Sequence, residues 1–328
     1  MKVFITGANG FVGLNIVSAL LEAGHEPTAI VRPGSNTTYL EPFGIRVVRG
    51  GLDDSRALAE AMRGAEAVVH TAGNTSCNWR DLPQLQAVNV DGTRNVADAA
   101  LAAGVRRLVF TSTTSTIGAD NDPSRRADER EPLRGFRARS PYGRTKAQAE
   151  RIVADAAAKG LETIVLNPAE VLGAYDYNLQ WGRIVLAAHY DQIPFDPPGG
   201  ASFCHAADVG RAHVAALTRG RPGERYLLAG HDLRFSEFFD AAGEALGKRL
   251  NIPSGGYRWL YYKTWLQEKA PALMPGEPVL EAYRLRVLGG SYYFDSSKAE
   301  RELGYRSAPV QRMLESCAQW YRKHGFLG

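Results

Sequence analysis

A doubly wound α/β fold, with a parallel sheet covered by helices on both faces and a small interleaved C-terminal lobe, is predicted by three features of this chain. An apolar run, Val3-Phe4-Ile5, leads directly into a glycine turn, Thr6-Gly7-Ala8-Asn9-Gly10-Phe11-Val12-Gly13, which opens a helical pattern. Short β-type runs then alternate with helix-patterned stretches. The chain has 328 residues, 45% hydrophobic and 23% charged, enough for a large buried core and too apolar for disorder.

Strands are predicted over residues 3–6, 27–31, 45–49, 67–70, 108–111 and 163–166. A first helix spans about 11–23 and a second about 93–103, closed by Gly24 and Gly104. Ser140-Pro141 starts a third, with serine as N-cap and proline at the first helical position. After Gly173 the rhythm breaks at Pro194, Pro197 and Pro198, and 251–295 is rich in aromatics and prolines. Between them a helix over 208–217 and a strand over 226–229 return to the first lobe. The expected division is a Rossmann domain over 1–173 with a return segment at about 201–229, and a substrate lobe from 174–200 and 230–328.

The formal net charge of +4 comes from interspersed charges and makes no case for nucleic acid. Cys77, Cys204 and Cys317 have neither metal-ligand nor disulfide spacing, so reduced thiols in a cytoplasmic protein are expected. No apolar run approaches membrane-spanning length, and no signal peptide is expected because residues 2–6 already belong to the fold. No metal is expected at His205, Asp208 and His213, since the last two are splayed five apart on a predicted helix.

The glycine turn carries the first chemical argument. Gly7 and Gly10 let the backbone approach a phosphate, Gly13 lets the helix sit against the sheet, and the helix start offers free N–H donors. Tyr142 and Lys146 supply the second, one turn apart on one helix face. A phenol titrates near pH ~10, and a nearby ammonium is expected to lower that value, suiting Tyr142 to general acid–base work.

The chain resembles an extended short-chain dehydrogenase/reductase, whose signature motifs T-G-x-x-G-x-x-G and Y-x-x-x-K are both complete. Within that family it is similar to the dihydroflavonol-reductase-like group, including hopanoid-associated sugar-epimerase-like proteins. The likeness extends to His70-Thr71-Ala72-Gly73, Val88-Asn89-Val90-Asp91-Gly92-Thr93, Leu166-Asn167-Pro168 and Tyr293-Phe294-Asp295. It implies a catalytic hydroxyl five residues before Gly118, at Thr113, with Ser112 and Ser115 as competing assignments. Tyr142 and Lys146 complete the catalytic set, Lys146 also holding the nicotinamide ribose. The implied cofactor contacts are Gly7, Gly10, Phe11, Val12, Gly13, Arg32, Leu52, Thr71, Ala72, Gly73, Asn89, Thr111, Tyr142, Lys146, Pro168 and Val171.

The end of the second strand sorts NAD from NADP. Arg32 stands there with no carboxylate between Pro27 and Leu40, so NADP is expected over NAD. Where relatives show Gly-Asp-Leu after the third strand, this chain reads Gly50-Gly51-Leu52-Asp53, and Asp53 is left out of the expected set. Thr113-Thr114-Ser115 lacks the acid pair of sugar-nucleotide dehydratases, and Asn167-Pro168 leans toward a reductase. The expected activity is NADP-dependent interconversion of an aldehyde or ketone with an alcohol. An NAD-dependent nucleotide-sugar epimerase is the alternative, and a non-catalytic dinucleotide sensor ranks below both. A small-molecule substrate is expected, bordered by Asn74, Ser76 and Trp79; a homodimer is left open. The arginines at 134, 137, 139 and 144 read as solvated surface. Tyr257, Trp259, Tyr261, Tyr262 and Trp265 read equally as pocket lining, lid, packing helix or subunit contact.

Overall fold

The computed structural model describes residues 1–253, 255–270, 273–274 and 280–327; Pro271, Pro275 and Pro278 of the proline-rich stretch lie outside them. In chain order the strands are β1 (Lys2–Thr6), β2 (Glu26–Val31), β3 (Arg46–Arg49), β4 (Ala67–His70), β5 (Arg107–Thr111), β6 (Arg126–Ala127), β7 (Glu162–Pro168), β8 (Glu170–Leu172), β9 (Gly200–His205), β10 (Arg225–Leu228), β11 (His231–Arg234) and β12 (Ser291–Phe294). The α-helices are α1 (Phe11–Glu22), α2 (Ser55–Ala61), α3 (Leu82–Leu85), α4 (Gly92–Ala102), α5 (Pro141–Ala158), α6 (Gly182–His189), α7 (Ala206–Ala216), α8 (Phe235–Leu246), α9 (Tyr257–Lys269), α10 (Ala282–Leu288), α11 (Ser297–Leu303) and α12 (Val310–Lys323).

Seven strands form one parallel sheet in the order β10-β7-β5-β4-β1-β2-β3. Every residue of β4 and β5 is buried, as strands covered on both faces must be, which is why Ala67-Val68-Val69 and Leu108-Val109-Phe110 within them are apolar without alternation. From β1 the chain runs outward to β2 and β3, then returns to the other side of β1 as β4. The order therefore reverses between β1 and β4, where Thr6 pairs with His70, and a crevice opens beyond their carboxyl ends.

The predicted strands and helices fall where the patterns put them, with Gly24 and Gly104 at φ +73° and +69° after α1 and α4. A six-residue π-helix, Gln86–Asp91, precedes α4; its wider turn leaves no trace in hydrophobic period. A second sheet runs β11-β9-β12-β6, with β8 also paired to β9. Of the segment 201–229, β10 completes the large sheet and α7 packs on α1, while β9 lies in the second sheet. The core around β9 is aromatic: Phe203 stacks on Phe238 at 4.3 Å, with Trp181 edge-on to Phe203.

All three cysteines are free, Cys204 and Cys317 buried. Among the described residues no helix is long and apolar enough to cross a membrane, and no three His, Cys, Asp or Glu side chains cluster as a metal site. His205 instead pairs with Asp208, which also takes the Ala308 N–H at 2.8 Å.

The contact of α7 with α1 is backbone to backbone at Gly210, where an added Cβ would stand 2.5 Å from the Asn15 carbonyl oxygen. Gly210→Ala is expected to lower unfolding stability by about 1–3 kcal/mol, measured by urea denaturation with an unchanged m-value.

Candidate active site

The crevice is floored by the glycine turn. Helix α1 starts at Gly10 with no side-chain cap, whereas Asp54 and Ser140 cap α2 and α5, so the first N–H groups of α1 face the crevice unclaimed. A Cβ on Gly13 would stand 2.0 Å from the Gly7 carbonyl oxygen, so the helix meets its own turn without side chains between. Phe11 is buried and Val12 partly so. The stretch Thr71-Ala72-Gly73 leaving β4 lies against the turn, with Ala72 N 2.6 Å from a Cβ built on Gly7. A bare turn and an uncapped helix start are donor chemistry that fits a dinucleotide pyrophosphate.

A directed chain of hydrogen bonds runs from this turn into the sheet. The Ala72 N–H donates to Thr6 Oγ1 at 3.3 Å, and the Thr6 hydroxyl donates to His70 Nδ1 at 2.7 Å. His70 Nε2 then donates to Thr93 Oγ1 at 2.9 Å, and Thr93 to the Asn89 carbonyl at 2.7 Å. The direction assigns the tautomer: His70 is neutral with its proton on Nε2. Burial, and secondarily the charge of Lys146, lowers its pKa to about 3. Asn89, on the π-helix, clamps the segment after β4 to α5. Its Nδ2 reaches the Asn74 carbonyl at 2.9 Å and Thr145 Oγ1 at 3.1 Å, while its Oδ1 takes the Asn74 N–H at 2.8 Å.

Helix α5 approaches the turn after β5 because Gly143 has no side chain; a Cβ there would stand 2.9 Å from the Ser115 carbonyl oxygen. On that turn Thr113 Oγ1 takes the Ser115 N–H at 3.1 Å, and its carbonyl takes Asn167 Nδ2 at 3.1 Å. Thr113 is the hydroxyl of this turn that acts on the Tyr142 phenol, favouring its ionised form. Ser112 turns instead to the Glu150 carboxylate, which also receives Thr116 at 2.7 Å and Asn167 at 2.8 Å. Lys146 is buried; its Nζ donates to the Thr111 carbonyl at 2.8 Å and lies 4.0 Å from the Phe110 ring centroid. The Thr111 hydroxyl points elsewhere, onto His213 Nε2 at 2.7 Å, so Thr111 meets Lys146 only through its carbonyl.

The expected lowering of the Tyr142 pKa by Lys146 is corrected by this geometry. Burial dominates and pushes the phenol up, against smaller lowering by Thr113 and Arg284. Burial also lowers Lys146 to about 7, Glu150 one turn on opposing it.

At the other end of the crevice Arg32 is exposed just past β2. Leu52 packs on Gly92, and its carbonyl takes Asn95 Nδ2 at 2.7 Å. Asp53, left out on sequence grounds, lies over Gly51: a Cβ added to Gly51 would meet its Oδ1 at 2.2 Å. Its carboxylate thus fills the space where a residue-51 side chain would begin.

Residues 3–229 match the sequence pattern of the NAD dependent epimerase/dehydratase family. The chain belongs to that family. It is 30% identical to sterol demethylase protein B of Methylococcus capsulatus, over 100% of both chains. It is 31% identical to 4-hydroxy-2-methyl-3-oxo-4-farnesyl-3,4-dihydroquinoline-1-oxide ketoreductase of Stigmatella aurantiaca, over 93% of this chain and 92% of that one. A solved nucleoside-diphosphate-sugar epimerase from Pseudomonas aeruginosa superposes with a TM-score of 0.80 at 25% identity, covering 100% of this chain and 99% of the other. These findings bear out the resemblance to extended short-chain dehydrogenases/reductases.

In this family member the surroundings of Tyr142 hold groups that no sequence motif marked. Cys77, Glu170 and Arg284 act electrostatically on the phenol, and each stays partly open to solvent, as walls of a concave site do. Glu170 lies between Pro168 and Val171 and accepts the Trp181 indole N–H; burial raises its carboxyl pKa. Arg137 corrects the reading of its arginine run as solvated surface. It is buried, donates to the Thr114 carbonyl at 2.9 Å and lies 5.3 Å from the Tyr292 ring centroid. Trp79 is exposed, with the Arg144 guanidinium 5.7 Å from its ring centroid. The aromatic segment splits by face. Tyr257 and Tyr261 line a cleft of about 710 Å³ with Phe136 and Tyr292, while Trp259, Tyr262 and Trp265 point outward.

Lys146 yields a signed pH prediction. With its pKa near 7 in the fold and at the ordinary 10.5 when unfolded, the unfolded chain binds the extra proton between those values. Its contribution to stability therefore rises with pH across that window, by up to about 1.4 kcal/mol per unit. Lys146→Met, without added cofactor, is expected to melt higher than the parent at pH 7, the gap narrowing toward pH ~10; a gap constant with pH would contradict this.

Proposed function

We propose that this chain is an NADP-dependent carbonyl reductase acting on apolar ketones or aldehydes, with Thr113, Tyr142 and Lys146 as its catalytic residues. The observation that carries the reading is the end of β2, where Arg32 stands exposed and no carboxylate is present to repel a 2′-phosphate. The named activity of the Stigmatella relative, a ketoreductase whose substrate name carries a farnesyl group, supports the direction and the apolar class.

When bound, NADPH supplies the hydride. The uncapped start of α1 would hold its pyrophosphate, Arg32 the 2′-phosphate, and Lys146 the nicotinamide ribose. Thr113 donates a hydrogen bond to the substrate oxygen as negative charge grows there. Tyr142, kept protonated by burial, gives its phenolic proton to that oxygen, and Thr113 and Arg284 favour the phenolate left behind. Asn89 and Asn167 position the groups, one through Thr145 of α5 and the other through the Thr113 carbonyl.

The Pseudomonas neighbour favours a second reading, an NAD-dependent nucleotide-sugar epimerase. That enzyme would keep its NAD through purification and show no net oxidation of added NADPH.

Two measurements test the proposal. Across a panel of ketones and aldehydes, NADPH is expected to be oxidised in preference to NADH, and Arg32→Ala to raise KM for NADPH ~10-fold or more with little change for NADH. Tyr142→Phe is expected to lower kcat by ~10²-fold or more with NADPH binding retained by fluorescence titration; unchanged turnover would overturn the mechanism.

A further inference from the structure

We propose that α9 seats this protein on an anionic lipid surface, using an outward stripe of aromatic rings flanked by basic side chains. Trp259, Tyr262 and Trp265 follow one another at three-residue spacing, so they share a face of the helix. That face looks outward: the three residues are 65%, 59% and 47% exposed. The inner face is occupied, with Thr264 buried and the Tyr257 hydroxyl donating to the Leu285 carbonyl of α10 at 2.8 Å.

Charge and ring chemistry choose the occupant. Arg258 and Lys269 are exposed beside the stripe, and the Lys263 ammonium lies 5.0 Å from the Trp259 ring centroid. Glu268, the acid within the helix, accepts the Ala282 N–H at 2.8 Å and so bends back toward α10. The outward surface of α9 therefore combines tryptophan and tyrosine with positive charge, the composition that suits the headgroup layer of a bilayer carrying anionic lipids. At 13 residues the helix reaches only about 20 Å, too short to span and suited to lying in the interface. A second copy fits worse, because a two-fold contact centred on this face would gather Arg258, Lys263 and Lys269 of both copies into one interface of like charge.

Docking does not depend on the proposed reaction, but it gives that reaction a setting. Behind α9 lies α10, whose Arg284 acts on Tyr142, so a seated protein holds its substrate side close to the store of apolar compounds dissolved in the bilayer.

Co-sedimentation of the full chain with vesicles is the test. The protein is expected to pellet with phosphatidylcholine vesicles containing phosphatidylglycerol, to pellet far less with phosphatidylcholine alone, and to be released by high salt. The triple variant Trp259→Ala/Tyr262→Ala/Trp265→Ala and the double variant Arg258→Glu/Lys263→Glu are each expected to lose ~10-fold or more of this binding. Both should keep the parental melting temperature, since the altered side chains are on the surface. Absence of binding by the parent protein to either vesicle, or full binding by the triple variant, would overturn the proposal. So would a parent dimer that the triple variant breaks into monomers, which would make the face a subunit contact. Vesicle binding is read without turnover, so failure here and failure of the reductase reading are separate results.

Discussion

The site is assembled around an imidazole that has to stay neutral. His70 accepts from Thr6 and donates to Thr93, which joins the glycine turn, β4 and α4, and the Thr93 bond to the Asn89 carbonyl brings the π-helix into the same frame. A charged imidazole would donate from both nitrogens and meet the Thr6 proton head on. Burial excludes that state, and the neighbouring Lys146 charge adds to the exclusion. Everything further out inherits its position from this frame. Asn89 hangs from it through its carbonyl, and α5 is held to Asn89 through Thr145.

A second constraint is electrostatic. The interior around α5 is hostile to charge, and it acts in opposite directions on the two titratable members of the Y-x-x-x-K pair. The phenol is made a weaker acid and the ammonium a stronger one. A tyrosine in such surroundings is stored in its proton-donating form. A lysine in the same surroundings is poised near neutrality, its charge favoured by the Glu150 carboxylate and its geometry held by the Thr111 carbonyl.

Much of the frame was legible in the sequence because it rests on local rules. Strands buried on both faces show as apolar runs, helices end at glycine, and a phosphate-binding turn must shed its side chains. What stayed hidden depends on distances across the fold. The count back from Gly118 chooses Thr113 but leaves Ser112 and Ser115 as competitors, and only the turn after β5 sends Ser112 to Glu150 instead. Arg137 is a charged residue whose burial has no sequence signature, Glu170 reaches the surroundings of Tyr142 only through the fold, and the π-helix carries no period of its own. The aromatic segment 257–265 mixed two faces with different fates, which a composition count cannot separate.

Gly51 and Asp53 show that the order of residues and the arrangement of atoms can come apart. Read by position, the acid expected from the resemblance after the third strand is missing. In space, a carboxylate from two residues along has moved into the gap, and the glycine is what makes room for it. The pair is thus a single device written in two letters. Any side chain placed at residue 51 would first have to displace the Asp53 carboxylate, the far end of a flexible side chain.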